Sequence, residues 1–238
     1  KMPGPLDGIR ILEFTQIIAA PFGGMLLSDM GAEVIKIEPI EGEPWRLHNQ
    51  FLPKESRAYI SLNRGKKSLP LNLKNPEATA IVHRLVKEID VVIINARPDV
   101  PEKLGTDYET LSKINPRLIY CDNTAFGRNG PDSYRPGYDI VVQAVSGLLA
   151  ADNKVENGVP QQVSATAVAD YSTGIAIAWS VCAALFARER SGIGQKIDTT
   201  LLSTALSVQG SFMELDSYTK ETRLEFLDTL NALKQAEM

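Results

Sequence analysis

The 238-residue sequence predicts an α/β fold built on a doubly wound parallel sheet and followed by helices. Two observations predict it. Residues 8–38 read as strand, helix and strand in about thirty residues, which is a βαβ unit and implies parallel strands. Strand and helix segments then continue to alternate as far as residue 123, as they do in Rossmann-like domains.

The elements of the first half follow one another in a regular order. The predicted strands are 8–14, 32–38, 90–96 and 117–123, and the predicted helices are 20–30, 75–89 and 107–115. Gly31 is placed to end the first helix, because glycine readily adopts the left-handed conformation found just past helix ends. Asn75 is placed as the N-cap of the second helix, and Pro76 stands at its first position, where no N–H is needed.

The second half is mostly helical. Residues 138–151 and 170–191 are predicted helices that are apolar on most faces, so both should be largely buried. Three more segments follow, namely strand 194–201, helix 202–218 and a last amphipathic helix over 219–238. The sequence ends straight after that helix, without a closing strand. We therefore expect residues 1–218 to be the N-terminal part of a large domain, and 219–238 to lead towards a missing smaller domain.

Composition and charge argue against several classes of function. A net charge of −4 argues against broad binding to nucleic acid or anionic membranes, which requires a basic surface. With His48 and His83 as its two histidines, the sequence gives no reason to expect a histidine-based metal site. No run reaches ~18 uncharged apolar residues, so no membrane-spanning segment is predicted. Cys121 and Cys182 have no paired spacing, so we expect reduced thiols and a cytoplasmic protein.

The turn after the first strand, within residues 13–29, is a candidate ligand-binding site. In a doubly wound sheet this loop brings a phosphate to the N-terminus of the following helix. Neither G-x-G-x-x-G nor G-x-x-x-x-G-K-[ST] occurs there. Ala19, Ala20, Gly23 and Gly24 permit a close approach of ligand to backbone, but they equally permit plain packing of helix on sheet.

A cluster of cations, formed by Arg64, Lys66, Lys67 and Lys74, lies in residues 63–74. Arginine forks and lysine point charges could together hold a phosphorylated group. An edge strand that carries lysines against aggregation explains the same residues. Both interpretations stay open at the level of sequence.

Two aspartates stand in otherwise apolar segments. Asp170 is the single charged residue of residues 164–180, and Asp139 begins a largely apolar helix. A buried carboxylate costs several kcal/mol unless it is hydrogen-bonded, paired or protonated. Each aspartate is therefore either the N-cap of its helix or a carboxylate that does chemistry. In the second case the helix N-terminus should keep Asp170 ionised.

Seven stretches of the sequence are informative as an ordered set. They are PLDGIRILEFT, GAEVIKIE, NRGKKSLPLNLKNPE, NPRLIYCDNTAFGRNGP, RPGYDIVVQAVSGL, AVADYSTG and GIGQKIDTTLLSTAL. The set spans residues 5 to about 215 and resembles the family III CoA-transferases. That family includes formyl-CoA:oxalate and carnitine CoA-transferases, and the α-methylacyl-CoA racemases are its relatives.

The resemblance implies covalent catalysis centred on Asp170. In such transferases the aspartate of the segment that here reads AVADYSTG attacks the thioester carbonyl of an acyl-CoA, and a mixed aspartyl–acyl anhydride forms as CoA thiolate leaves. The acceptor carboxylate then takes the acyl group, or the thiolate attacks to give an aspartyl-CoA thioester. Asp139 matches a supporting carboxylate beside the nucleophile, and Tyr138 belongs to the same catalytic group.

The resemblance also implies substrates, partners and contacts. The substrates would be an acyl-CoA thioester and a small carboxylic acid, with no tightly bound cofactor, and the full-length protein would be a homodimer. The positions that match CoA-binding residues are Ile18, Ala19, Leu71, Asn72, Leu73, Lys74, Asn95, Ala96, Arg97, Lys103 and Arg135. Pro39 stands where some members have an arginine for CoA. Ile18 replaces a glutamine of formyl-CoA transferase-like enzymes, which disfavours a formyl/oxalate reaction.

Two alternatives remain. In the related racemases the triplet G-H-D supplies a histidine that moves the α-proton, with an aspartate as its partner, whereas this sequence reads GYD. Tyr138 is a poor proton shuttle at neutral pH, because the ordinary pKa of tyrosine is about 10, so a transferase is favoured over a racemase or epimerase. The shortness of the chain motivates the other alternative, a non-catalytic CoA-binding homologue.

Overall fold

The computed structural model describes residues 3–48, 50–52, 55–151, 155–161 and 166–210, together with residues 225, 228, 229 and 232. Its strands are β1 (Arg10–Phe14), β2 (Glu33–Glu38), β3 (Gln50–Leu52), β4 (Glu55–Ser56), β5 (Lys67–Pro70), β6 (Val91–Ile94), β7 (Ile119–Thr124), β8 (Val155–Glu156), β9 (Val159–Pro160) and β10 (Gln195–Thr200). Its helices are α1 (Ala19–Asp29), α2 (Arg57–Asn63), α3 (Pro76–Val86), α4 (Val100–Leu104), α5 (Tyr108–Ile114), α6 (Asp139–Val145), α7 (Leu148–Ala151), α8 (Val168–Ser191) and α9 (Leu201–Ser207). A 3₁₀ turn covers Pro44–Leu47.

Six strands form one parallel sheet in the order β10-β7-β6-β1-β2-β5. Counted by their own order along the chain and taken from β5, they run 3-2-1-4-5-6, which is the strand order of doubly wound dinucleotide-binding folds. The direction of winding reverses between β1 and β6. A crevice is therefore expected outside the carboxyl ends of these two strands. The predicted fold class is confirmed.

The hydrophobic core lies on both faces of this sheet. On one face, Ile11, Val91 and Ile93 pack against α1 and α8. On the other face, Leu12 and Val92 pack against α3 and α5. Consecutive strand residues point to opposite faces, so a strand that is covered on both faces reads as a continuous apolar run, as β6 does.

Helices α1 and α8 cross closely because two glycines face each other. A Cβ atom added to Gly174 would lie 2.7 Å from the carbonyl oxygen of Ala19, and one added to Gly23 would lie 3.0 Å from the carbonyl oxygen of Gly174. Both distances are too short for a side chain, so any larger residue would push the helices apart. Gly23 therefore allows close packing of α1, which is one of the two roles that the sequence left open for this residue. The close crossing brings the first turn of α8 next to the loop that follows β1.

A buried group of charges lies under that loop. Lys36 Nζ lies 3.1 Å from Glu13 Oε1, and Lys66 Nζ lies 2.8 Å from the same oxygen. Lys36 also donates to the carbonyl oxygen of Thr15, and Lys66 donates to that of Pro21, so the two lysines hold both ends of the loop. Burial acts to raise the pKa of Glu13, but the neighbouring Lys66 and Lys36 bring it below its usual value. Burial lowers the pKa of Lys66 to about 8.

Several predicted helix ends are confirmed. Asn75 caps α3 by accepting a hydrogen bond from the backbone N–H of Glu77. The chain turns after α1 at Gly31, whose φ is 107°, and after α8 at Gly192, whose φ is 73°. Positive φ angles of this kind favour glycine, because it has no Cβ to clash.

Other predictions need correction. The segment 138–151 is not one helix, because α6 ends at Val145 and α7 begins at Leu148, with Gly147 between them at a φ of 82°. The segment 202–218 is helical only as far as Ser207 among its described residues. Helices α2 and α4 and the two short hairpins, β3–β4 and β8–β9, have no counterpart among the predicted elements.

The C-terminal predictions are described only in part. Residues 225, 228, 229 and 232 are helical, and most of the predicted helix over 219–238 lies outside the described residues. The predicted domain boundary at residue 218 lies outside them as well, so the division into 1–218 and 219–238 stays a prediction.

Helix α8 is long and apolar enough, by length and composition, to span a membrane, with a mean hydropathy of 1.4 over its most apolar window. Half of that window is buried inside the fold, where Ile177 and Val181 belong to the core on one face of the sheet. In this fold α8 is the long core helix of that face, and its first turn carries Asp170.

Candidate active site

The loops after β1 and β6 meet at the switch point of the sheet. Asn95 joins them, because its Oδ1 accepts the backbone N–H of Gln16 at 3.0 Å and its Nδ2 donates to the Gln16 carbonyl oxygen at 2.9 Å. The next residue, Ile17, has a φ of 73°, which a β-branched residue rarely adopts. Backbone strain of this kind persists where the surroundings fix a loop, and it is common at ligand sites.

A cleft of about 290 Å³ opens on one side of this junction. Its walls come from the loops after β1, β6 and β7 and from the first turn of α8. Eight of the predicted site residues line it, namely Ile18, Ala19, Asn95, Ala96, Arg97, Arg135, Tyr138 and Asp170. The fold therefore brings these residues from four separate sequence segments to one cleft at the carboxyl edge of the sheet.

A larger cleft of about 700 Å³ opens on the other side, and Gln16, Asn95 and Ala96 line both clefts. The remaining predicted CoA-binding residues line this larger cleft, namely Leu71, Asn72, Leu73, Lys74 and Lys103. Pro39 lies in its wall too. Of the predicted site residues, Asp139 alone lines neither cleft.

Asp170 lies in the first turn of α8, in the wall of the smaller cleft, with 8% of its surface exposed. The N-cap of α8 is Ala167, so the alternative in which Asp170 caps its helix is wrong. Among the described residues its carboxyl group has no hydrogen-bond donor and no cation as a partner, and Asp139 is the one charged group that affects its pKa.

Asp139 is 7% exposed and occupies the first position of α6, whose N-cap is Tyr138. It does not cap its own helix either. Instead its Oδ1 accepts the backbone N–H of Asp170 at 3.0 Å, and its Oδ2 accepts a hydrogen bond from Nε2 of Gln143. Asp139 therefore satisfies an N–H group in the first turn of α8 from a neighbouring helix. This contact fixes where Asp170 lies.

Burial and the nearby charge of Asp139 raise the pKa of Asp170 to about 7. Burial removes the water that stabilises a carboxylate, and a like charge adds to the effect. The expectation that the helix N-terminus keeps Asp170 from protonating is therefore wrong. A carboxyl group whose pKa is strongly raised, and which faces a cleft, is typical of functional sites.

The cations of residues 63–74 do not act as one group. Arg64 and Lys67 pair with carboxylates of Asp29 and Glu33, and Lys66 belongs to the buried charges under the loop after β1. Of the four, Lys74 is the one that lines the larger cleft. Because β5 is an edge strand of the sheet, the edge-strand interpretation holds for its lysine.

Two polar side chains near the clefts, the buried Gln143 and the half-buried Arg128, are absent from the sequence predictions. Gln143 contacts Asp139, as described above. Arg128 donates to both carboxylate oxygens of Asp122, at 2.8 and 2.6 Å, and to the carbonyl oxygen of Ala96 at 3.2 Å. It thereby holds the loop after β6. Within the described part of the chain, no three His, Cys, Asp or Glu side chains are grouped so that they could hold a metal ion.

Comparisons with known proteins identify the family. The profile of the family described as CoA-transferase family III matches residues 6–226. The acetyl-CoA:oxalate CoA-transferase of Acetobacter aceti is 39% identical over 208 residues, covering 87% of this chain and 53% of that protein. The succinate–glutarate CoA-transferase of Agrobacterium fabrum is 42% identical over 212 residues, covering 86% and 52%. The chain spans about half the length of the curated relatives it matches.

Solved structures share the fold. A crystal structure of a Mycobacterium tuberculosis protein described as hypothetical superposes with a TM-score of 0.85 at 37% identity, covering 92% of this chain and 61% of that chain. A CaiB/BaiF family protein from Brucella suis superposes with a TM-score of 0.81 at 39% identity, covering 87% and 56%. The profile match contains every residue of both clefts. The chain belongs to CoA-transferase family III.

Proposed function

We propose that the protein to which this chain belongs transfers coenzyme A from an acyl-CoA to a carboxylic acid, with the Asp170 carboxylate as nucleophile. The observation that carries the proposal is the state of Asp170, a buried carboxyl that faces the cleft with no partner among the described residues. A buried carboxylate with a structural role is normally paired or hydrogen-bonded. Curated relatives named CoA-transferases support the reaction class.

The two adjoining clefts suggest how CoA would lie. The nucleotide would occupy the larger cleft, where Lys74 and Lys103 supply positive charge for its phosphates. The pantetheine arm would cross the junction at Gln16 and Asn95, which line both clefts. The thioester would then reach the smaller cleft, where Asp170 lies.

The reaction starts from ionised Asp170. Its carboxylate attacks the acyl carbonyl, the C–S bond breaks, and the CoA thiolate leaves with the electron pair, which gives a mixed anhydride. The thiolate attacks the Asp170 carbonyl of that anhydride, releases the donor acid and forms an aspartyl-CoA thioester. The acceptor carboxylate attacks this thioester to give a second anhydride. The thiolate then attacks the acceptor's carbonyl, and Asp170 is regenerated.

The surroundings of Asp170 suit this chemistry in two ways. Burial and the charge of Asp139 make the ionised carboxylate more basic, and a more basic oxygen anion is the stronger nucleophile. Burial of the Asp170 carboxyl limits the access of water, which would otherwise hydrolyse the anhydride. Since the pKa of Asp170 is about 7, we expect the transfer rate to rise as the pH passes through about 7 and to level off above it.

The test uses the full-length protein and a panel of acyl-CoA esters, with hydroxylamine added to trap the intermediate. We expect mass spectrometry to find a hydroxamate at Asp170 that appears only when an ester is present. In Asp170→Asn the adduct should be absent, the transfer rate should fall roughly 10³-fold or more, and CoA should still bind. Undiminished exchange in Asp170→Asn, or an adduct on a different side chain, would overturn the proposal.

The same panel separates the two alternative functions. An acyl-CoA racemase would incorporate deuterium at the α-carbon without exchanging CoA between acids, and Tyr138 does line the smaller cleft with Asp170. A non-catalytic homologue would bind CoA and show neither reaction. The cytoplasmic location and the homodimer stay predictions.

A further inference from the structure

Gln143 is a buried polar residue next to the candidate active site, and its burial requires an explanation. Its side chain is fully buried in α6, with 0% of its surface exposed. Its Nε2 donates to Oδ2 of Asp139, while its Oε1 has no hydrogen-bond partner among the described residues. A buried amide oxygen without a partner costs free energy, so an apolar side chain would fill this space better. The contact with Asp139 is therefore what the amide supplies.

That contact decides how two neighbouring carboxyl groups differ. Asp139 is held by two hydrogen bonds, because its Oδ1 accepts the backbone N–H of Asp170 and its Oδ2 accepts Nε2 of Gln143. Asp170 accepts none from the described residues. Besides burial, the like charge of Asp139 raises the pKa of Asp170, and this effect depends on how close the Asp139 carboxylate is held. The donors are thus distributed unequally, and Gln143 supplies one of the two on Asp139.

We infer that Gln143 is a positioning residue that holds the Asp139 carboxylate beside Asp170 and thereby helps to set the pH range in which Asp170 is ionised. This inference deepens the proposed function, because it names what sets the pH range in which the nucleophile is ionised. Without the Gln143 donor, Oδ2 of Asp139 would lose its hydrogen bond and the carboxylate would be free to turn away, so Asp170 would experience less of the like charge that opposes its ionisation.

Other ionisable side chains lie on the elements packed against α6 and α8. They are Asp29 on α1; Tyr120, Cys121 and Asp122 on β7; Lys196 and Asp198 on β10; Tyr171, Cys182, Arg188, Glu189 and Arg190 on α8; and Arg97, Asp132, Tyr134, Arg135 and Tyr138 around the cleft. None of these contributes to the raised pKa of Asp170, for which burial and Asp139 are the causes. The pair and its donors can therefore be tested by themselves.

The chain offers a matched control in Gln209, which lies just after α9, the helix that packs on α6. Gln209 is 5% exposed, and its Nε2 donates at 2.9 Å to the carbonyl oxygen of Ala205. It is thus a second buried glutamine that uses the same donor atom, but its acceptor is a backbone carbonyl and not a carboxylate. Gln143→Met and Gln209→Met remove the same group from similar surroundings.

The test follows the Asp170 carboxyl directly. The full-length protein is labelled with [4-¹³C]aspartate, the Asp170 resonance is assigned with Asp170→Asn, and its shift is followed from about pH 4 to about pH 9, on either side of the expected midpoint. In Gln143→Met we expect the titration midpoint to fall by about one pH unit, because the like charge of Asp139 is no longer held beside Asp170. In Gln209→Met the midpoint should stay where the wild-type protein has it.

An unchanged midpoint in Gln143→Met, or an equal fall in Gln209→Met, would overturn the inference. If Gln143→Met does not fold, Gln143→Asn keeps the amide but is one methylene too short to reach Asp139, and the same fall is expected. The acid limb of the pH profile of kcat/KM should move with the midpoint. Because the resonance titrates with or without catalysis, failure of CoA transfer would count against the proposed function alone.

Discussion

The two edges of the sheet hold their carboxylates in opposite ways. At the amino edge, Asp90 accepts from the backbone N–H of Arg10 and from Nη2 of Arg188, both at 2.9 Å. At the carboxyl edge, Asp170 has no donor among the described residues and faces the charge of Asp139. Both carboxylates belong to the same fold, so this difference in pairing reflects a difference in their roles. A paired carboxylate holds the structure together, whereas an unpaired one is free to react.

The amino edge should be the more sensitive to loss of a partner. Arg188 is buried, and besides Asp90 its Nη1 donates to the carbonyl oxygen of Arg117 at 3.3 Å. Arg188→Met leaves the half-buried Asp90 carboxylate without its cation, so we expect a loss of about 2–3 kcal/mol in the free energy of unfolding, less than for a fully buried pair. The measurement is chemical denaturation of the full-length protein. Arg190→Met, an exposed arginine two residues further along α8, is the control and should cost far less.

At the carboxyl edge, removing the Asp170 carboxylate should change the free energy of unfolding in the opposite direction. The folded protein raises the pKa of Asp170 to about 7, so it holds a proton there that the unfolded chain has lost above about pH 4. The stability contributed by this group therefore falls as the pH rises from about 4 to about 7, and the cost is complete above that. We expect Asp170→Asn to raise the free energy of unfolding by about 2 kcal/mol at pH 8, and the gain to fade towards pH 4.

This second measurement is thermal or chemical unfolding at several pH values, with Asp90→Asn beside it. Asp90→Asn removes an ion-paired carboxylate and should destabilise the protein at pH 8. Two variants with the same chemical change would then shift stability in opposite directions. A loss of stability in both would contradict the contrast between the two edges.

The smallest expected effect concerns the larger cleft. Lys74 lines it, is exposed, and lies where the phosphates of CoA are proposed to bind. Lys74→Ala should raise the KM for the acyl-CoA about fivefold at low salt, since one charge-assisted contact at an exposed site contributes about 1 kcal/mol. The rise should shrink as salt screens the charges. Lys113→Ala, an exposed lysine in the last turn of α5, should leave KM unchanged, and an equal effect would argue against this placement of CoA.

Most strands of the sheet were predicted correctly, because the residues of a strand show whether one or both of its faces are covered. A strand covered on both faces must be apolar throughout, as β6 is, and that is visible without any partner. Short elements such as α2, β3 and β8 were missed, since so few residues carry no periodicity. The break at Gly147 was missed as well, because a glycine within an apolar segment is compatible with either a helix or a turn.

For the candidate site too, some features could be predicted from the sequence and others could not. Sequence patterns predicted the α/β fold class. They also pointed to Asp170, because a lone carboxylate in an apolar segment needs an explanation wherever the segment lies. Three properties of Asp170 depend on the tertiary structure: it does not cap its helix, Asp139 holds its backbone N–H from another helix, and the pKa of Asp170 is about 7. The physical reason is that protonation depends on which groups come within a few ångströms. Asp139 and Asp170 are 31 residues apart along the chain, and only folding makes them neighbours.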